Sequence, residues 1–199
     1  MLRLIDRLSC TVTLAGAGIP MPETRVTEDI EAARQAVRDF GSAVFKPLFS
    51  TKARGMQVLE NTLDEPQLFD EIHRFRAANP MMYIQRRLDL SGRDLGMVFL
   101  GGEYLGTYAR VSHGDAWNTT IHSGGRYASY TASQERIDLA DRAQAPFGMD
   151  FTTGDVALTD DGPVVFEVSA FGGFRGASEG AGIDAAQLYA EYTLARTRE

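Results

Sequence analysis

Val44-Phe45-Lys46-Pro47-Leu48-Phe49-Ser50-Thr51-Lys52-Ala53-Arg54-Gly55-Met56 contains both lysines of this 199-residue chain, whose remaining positive charge is carried by arginine. Lysine is a compact point charge that reaches a phosphate oxygen without a fixed plane, whereas arginine is a planar fork. An apolar strand that delivers a lysine into a loop of small residues therefore reads as a phosphate grip. Two surface lysines left together by chance in an arginine-rich chain is the other reading, and the segment alone leaves both open.

Composition narrows the classes. Apolar residues make up 44% and charged residues 24%, the balance of an ordinary globular protein of one domain or two small ones. The net charge of −7 gives no basic field for nucleic acid or an anionic membrane, so a polyanion must be held locally. The single cysteine, Cys10, excludes an internal disulfide and a multi-cysteine zinc site and points to a cytoplasmic setting. No apolar run approaches the roughly 20 residues that span a bilayer.

Working outward, Leu4 to Gly18 reads as a helix stopped by glycines and followed by Pro20 and Pro22, where an extended segment begins. Ile30, Ala33, Val37 and Phe40 recur at helical spacing up to Gly41. Ala43 to Pro47 and Met56 to Glu60 read as strands flanking the lysine loop, and a helix carrying Leu68, Ile72 and Phe75 stops at Asn79-Pro80. Near Met81 the pattern turns to strands. These are Tyr83 to Leu88, a hairpin of Asp94 to Leu100 and Tyr104 to Val111 across Gly101-Gly102, and a second of Gly154 to Leu158 and Val164 to Val168. Thr131 to Ala145 reads as helix, Phe171 to Gly182 as a glycine-rich loop, and the C-terminus as a helix. The fold class is α+β with two lobes.

The second hairpin sets Asp155 opposite Glu167, with Ser169 two residues further on the same face. Facing carboxylates repel unless a cation lies between them, and hard oxygen donors at this spacing suit Mg²⁺. Solvated edge residues are the alternative; the apolar neighbours Val156, Val164, Val165, Phe166 and Val168 favour a buried hairpin and the metal. Arg110 ends a strand just before His113-Gly114-Asp115-Ala116-Trp117-Asn118, where it either holds a transferring phosphoryl group or forms a surface salt bridge. Trp117 alone reads as a packing anchor. His73, His113 and His122 form no spaced constellation for zinc or for nucleophilic catalysis.

Taken in order, these pieces resemble the ATP-grasp superfamily, in its branch of RimK-like and tetrahydromethanopterin glutamate ligases. The resemblance covers nearly the whole chain. Asp6-Arg7 and Ala17-Gly18-Ile19-Pro20-Met21-Pro22 look like the family's opening helix and turn, and Val44 to Phe49 is similar to the strand whose lysine binds ATP phosphate. Gln85, Arg86 and Arg87, within Tyr83 to Arg87, occupy the place of the adenine-holding segment. Gly92-Arg93-Asp94-Leu95 looks like the family's Gly-Arg-Asp-Ile, which puts Asp94 among the nucleotide-binding residues. Trp117-Asn118-Thr119-Thr120 with Gly124-Gly125 is similar to a loop whose polar residues, here Asn118, Thr119 and Thr120, face the nucleotide. Asp155, Glu167 and Ser169 resemble the magnesium ligands, Arg110 a catalytic-site arginine, and Phe174-Arg175-Gly176 the end of the substrate loop, with Arg175 placed to orient a substrate carboxylate.

The resemblance implies an ATP-grasp fold with nucleotide between two lobes and the usual N-terminal domain absent. It divides the chain into opening helices at 1–42, a small lobe at 43–84 and a large lobe at 85–199. It further implies a carboxylate–amine ligase using ATP and Mg²⁺, with Mn²⁺ as substitute, that forms an amide through an acylphosphate. The amine would be glutamate or a similar amino acid, and the acceptor a small-molecule or peptide carboxylate, a pterin precursor among them. A non-catalytic ATP-binding module or a subunit of a split ligase is the alternative, and partners would include a chain supplying the front domain or further copies of this one. Several positions depart from the family pattern. Ser50 and Ala53 stand where glycines are usual, Gly96 where an arginine is common, Arg86 where an acid is, and Ser169 where the metal-binding asparagine is. Fewer glycines leave the phosphate loop less freedom to adopt positive φ.

Overall fold

The computed structural model describes residues 2–113, 117–170 and 172–197. After a short 3₁₀ turn at Leu2–Leu4, helix α1 (Arg7–Gly16) begins later than the sequence pattern predicts and ends near Gly18, whose φ of 67° only glycine adopts cheaply. The described chain then falls into two units: Pro22–Leu88 together with Asp6–Leu8, and Met1–Ile5, Ser9–Met21 and Asp89–Glu199.

The smaller unit contains β1 (Thr24–Thr27), α2 (Ile30–Phe40), β2 (Ser42–Lys46), β3 (Gln57–Glu60), α3 (Glu65–Ala78) and β4 (Met82–Arg86). Its strands form an antiparallel sheet in the order β1-β4-β2-β3. Both helices begin on aspartate caps, Asp29 accepting from the Ala32 N–H and Asp64 from the Gln67 N–H, which satisfies backbone donors with no partner inside the helix. Their apolar stripes, Ala33, Ala36, Val37 and Phe40 on α2 and Leu68, Ile72 and Phe75 on α3, bury against Ala43, Phe45, Leu59, Met82 and Ile84. Alternation along the strands leaves Val44, Lys46, Tyr83 and Gln85 on the opposite face.

The larger unit adds β5 (Arg93–Leu100), β6 (Glu103–Val111), β7 (Arg126–Ser129), α4 (Gln134–Gln144), β8 (Phe151–Thr159), β9 (Gly162–Ser169), α5 (Phe174–Ala181) and α6 (Ala185–Arg196). Its antiparallel sheet runs β7-β6-β5-β8-β9. The β5–β6 hairpin turns on Gly101 and Gly102, both at positive φ, as tight hairpins require. One face of the sheet packs Leu95, Met97, Phe99, Val156, Val165 and Val168 against Cys10 and Leu14 of α1 and Leu139, Ala140 and Ala143 of α4. On the other face Val98, Leu100, Tyr108 and Phe151 meet Ala177 of α5 and Ala185 of α6.

Two elements differ from the sequence expectation. The glycine-rich stretch expected as loop folds into α5 from Phe174 onward, because Gly176 and Gly180, one turn apart, give the helix a bare side. A Cβ at either would come within 2.4 Å of Tyr108, so the missing side chains allow close packing that offsets glycine's poor helix propensity. Strand β7 is too short to show a period. Among the described residues no helix is long and apolar enough to cross a membrane.

Candidate active site

In the smaller unit Lys46 ends β2 with its ammonium donating to Gln85 Oε1 at 2.5 Å. Gln85 is 2% exposed, and its amide nitrogen donates to Thr24 Oγ1 (3.0 Å) and Tyr83 Oη (3.3 Å), so the buried amide is satisfied and its oxygen is aimed at the lysine. Arg87 is exposed and ion-paired to Glu60 at 2.9 Å. Arg86 lies on the other face, paired to Glu23 at 2.7 Å with its guanidinium 5.2 Å from the Phe40 ring centre. The structure therefore brings Lys46 and Gln85 together and sets the Arg86 side chain apart from them.

The loop after Lys46 is tied to the start of α1, where the Arg7 N–H donates to Leu48 O at 3.1 Å and the Arg7 guanidinium to Ser50 Oγ at 3.3 Å. The shortage of glycine does not keep this loop out of left-handed conformations. Lys52 (φ 61°) and Ala53 (φ 58°) adopt them alongside Gly55, at a cost of roughly 1–2 kcal/mol for each non-glycine residue.

In the larger unit one face of the sheet gathers Asp94, Arg110, Asp155, Glu167 and Ser169. Two β-bulges build this grouping. Counted back from Leu100 opposite Glu103, an uninterrupted hairpin would pair Asp94 with Ala109; the register shift between Val98 and Phe99 makes the partner Arg110. Likewise the shift between Asp155 and Val156 puts Glu167, and not Phe166, opposite Asp155. Arg110 grips Asp94 through Nε (3.1 Å) and Nη2, and Nη2 also lies 3.0 Å from Asp155 Oδ2. Asp94, expected among the nucleotide ligands, is thus engaged in holding Arg110. No sequence period marks this pairing, because it depends on the bulge.

Asp94 and Asp155 both pair with Arg110, and Glu167 stands opposite Asp155. Burial pushes the Asp155 carboxyl up to about 7, Glu167 and Asp94 push the same way, and Arg110 opposes them. Arg110 is held well above its ordinary value, its own burial outweighed by the attraction of Asp155 and Asp94. Mg²⁺ takes one or two carboxylates and fills its remaining positions with water and phosphate. The Asp155 and Glu167 pair, with the Ser169 hydroxyl along the same strand, fits that demand.

Asn118, Thr119 and Thr120 lie between β6 and β7. The Asn118 side-chain oxygen accepts from the Thr120 N–H (3.1 Å) and hydroxyl (2.8 Å), an Asx turn, and Thr119 is buried. Arg175 projects from α5, paired to Glu179 at 2.6 Å and 6.0 Å from the Tyr127 ring centre, and these contacts do not join it to the Arg110 cluster. Gly114, Asp115, Ala116 and Phe171, in the two loops read from sequence, lie outside the described residues.

The two helix-covered antiparallel sheets define an ATP-grasp fold. The ATP-grasp ligase PsnB, solved with a phosphomimetic variant of its minimal precursor, Mg and ADP, superposes with a TM-score of 0.76 at 23% identity, over 97% of this chain and 58% of PsnB. The chain belongs to the RimK-like ATP-grasp domain family, which it matches over residues 5–193. Among curated relatives, the tetrahydromethanopterin:alpha-L-glutamate ligase of Methanosarcina acetivorans is 26% identical over 94% of this chain and 65% of its own length. Human N-acetylaspartylglutamate synthase A is 26% identical over 98% of this chain and 50% of its own. The chain therefore spans between half and two-thirds of the length of these relatives.

Proposed function

We propose that this chain carries the catalytic site of an ATP- and Mg²⁺-dependent carboxylate–amine ligase. The observation that carries the reading is Arg110, anchored by Asp94 and reaching Asp155 directly opposite Glu167. In this reading a carboxylate oxygen of the acceptor attacks the terminal phosphorus of ATP and ADP leaves. The amine nitrogen then attacks the acyl carbon of the acylphosphate, phosphate leaves, and the nitrogen gives up a proton. Lys46, steered by Gln85, holds phosphate, and Arg110 offsets the charge that develops on the transferred group. Asp155, Glu167 and Ser169 hold the metal, whose chemistry would be neutralisation of phosphate charge. Arg175 orients a substrate carboxylate through its fork.

Glutamate or a similar amino acid is the amine this reading favours, supported by the family and by the glutamate ligase among the relatives. The acceptor is a small-molecule or peptide carboxylate. The test is ADP release from ATP across crossed mixtures of carboxylates and amino acids, expected only when both substrates are present. Mg²⁺-dependent ATP binding without turnover in any mixture would select the second reading, a binding module or split-ligase subunit, which the strained Lys52-Ala53 loop and the serine at position 169 favour.

A further inference from the structure

On β8, Thr153 stands two residues before Asp155, so strand alternation puts both side chains on the face that carries the acids. Across the hairpin Asp155 is opposite Glu167, and Thr153 is opposite Ser169. These residues form a block in which a pair of carboxylates lies beside a pair of hydroxyls. Directly opposite positions bring Cβ atoms about 5 Å apart, and two residues along a strand span about 7 Å. Thr153 thus adjoins the carboxylate pair without belonging to it.

The hydroxyl of Thr153 is buried without a bond. The residue is 2% exposed, and its Oγ1 has no hydrogen-bond partner among the described residues. Buried hydroxyls are almost always paired, because stripping one of water and giving it no partner is costly. What covers this one is the backbone of Gly172, in the link between β9 and α5. A Cβ at Gly172 would come within 1.9 Å of Oγ1 and 2.7 Å of the Thr153 Cβ, so the chain passes this close only because position 172 has no side chain. The hydroxyl is therefore set beside the carboxylate pair, roofed by a glycine, and left without the partner such a group requires.

We propose that Thr153 is a binding residue for the terminal phosphoryl group of the nucleotide. The incoming phosphoryl group displaces Gly172 from the hydroxyl, which then donates to a phosphoryl oxygen. A hydroxyl suits that partner as an ionised carboxylate does not, since the carboxylate can only accept. Thr153 lies outside every motif read from the sequence, and only its burial beneath Gly172 singles it out.

The inference rests on the nucleotide reading above, and one calorimetric series separates the two. ADP and the non-hydrolysable ATP analogue AMPPNP are each titrated with Mg²⁺ into the whole chain for the parent, Thr153→Ser and Thr153→Ala. Melting temperatures of the ligand-free proteins are measured beside them. Serine and alanine both lack the threonine methyl and differ by the hydroxyl alone. Thr153→Ala should bind AMPPNP about 10–100-fold more weakly than Thr153→Ser, the worth of a hydrogen bond to a charged group, and should bind ADP equally well. Without ligand the alanine variant should melt at or above the serine variant, since the hydroxyl has no bond to lose. Equal AMPPNP affinities in the two variants, an equal loss for ADP, or alanine melting below serine would each overturn the role of Thr153, while Mg²⁺-dependent binding by the parent keeps the nucleotide reading. A parent without Mg²⁺-dependent binding of either nucleotide overturns that reading and this inference together.

Discussion

Replacing Asp155 with asparagine should make the metal-free protein more stable at neutral and alkaline pH while destroying its metal response. The carboxyl sits at about 7 in the fold against 3.8 for the unreacted group. Between these values the folded state keeps a proton that the unfolded chain has released, so stability falls as pH rises. The contribution is fully present below pH 4 and is lost as pH climbs through 7. A separation of about three pH units at about 1.4 kcal/mol each amounts to about 4 kcal/mol. Asparagine keeps the shape and cannot ionise, so Asp155→Asn escapes the loss, and Arg110 retains Asp94 as its partner. At roughly 2–4 °C per kcal/mol for a chain of this size, the variant should melt about 8–16 °C above the parent at pH 8 and with it at pH 4. The assay is thermal denaturation in EDTA from pH 4 to 8. Parallel curves for parent and variant would refute the reasoning, because they would mean that Asp155 ionises in the fold as easily as in water.

Lys46→Met should weaken ATP binding about 10–100-fold, the worth of one charge-assisted hydrogen bond to phosphate, measured by calorimetry. Ala53→Gly should raise stability by about 0.5–1 kcal/mol in urea denaturation, since relief of roughly 1–2 kcal/mol of left-handed strain exceeds glycine's added chain entropy of roughly 0.5–1 kcal/mol. Gly172→Ala would place its Cβ 1.9 Å from the buried Thr153 Oγ1, an overpacking that costs about 1–3 kcal/mol in the same assay. That loss should shrink in the double variant with Thr153→Ala, whose shortened side chain vacates the spot. Gly96→Ala meets the Tyr108 ring in the same way and should lower the melting temperature, with the cost reduced when Tyr108 is replaced by a smaller residue.

Local chemistry made much of this molecule legible in advance. Helices α2 and α3 follow from apolar residues at helical spacing that stop at Gly41 and at Asn79-Pro80, and the first hairpin from Gly101-Gly102. Lys46 at the end of a buried strand could be read from the segment alone. The α5 helix could not, because its glycines look like loop until Tyr108 is packed against them. Nor could the placement of Arg86 away from Lys46, since a strand shows which residues alternate and not which face a helix will cover.

The row of acids around Arg110 marks the limit most clearly. The chain's own pattern supplies the strands, the carboxylates and the arginine, for these depend on neighbours a few positions away. The second hairpin already shows Asp155 facing Glu167, but whether Asp94 meets Arg110 depends on one inserted residue, opposite Val98-Phe99, that shifts the pairing by one position. A one-residue shift turns every following side chain to the other face of the sheet. The choice between the two registers is made by the helices on one side of the sheet: α1 and α4 bury Leu95, Val156 and Val168 on that face, which leaves Asp94, Asp155 and Glu167 on the other.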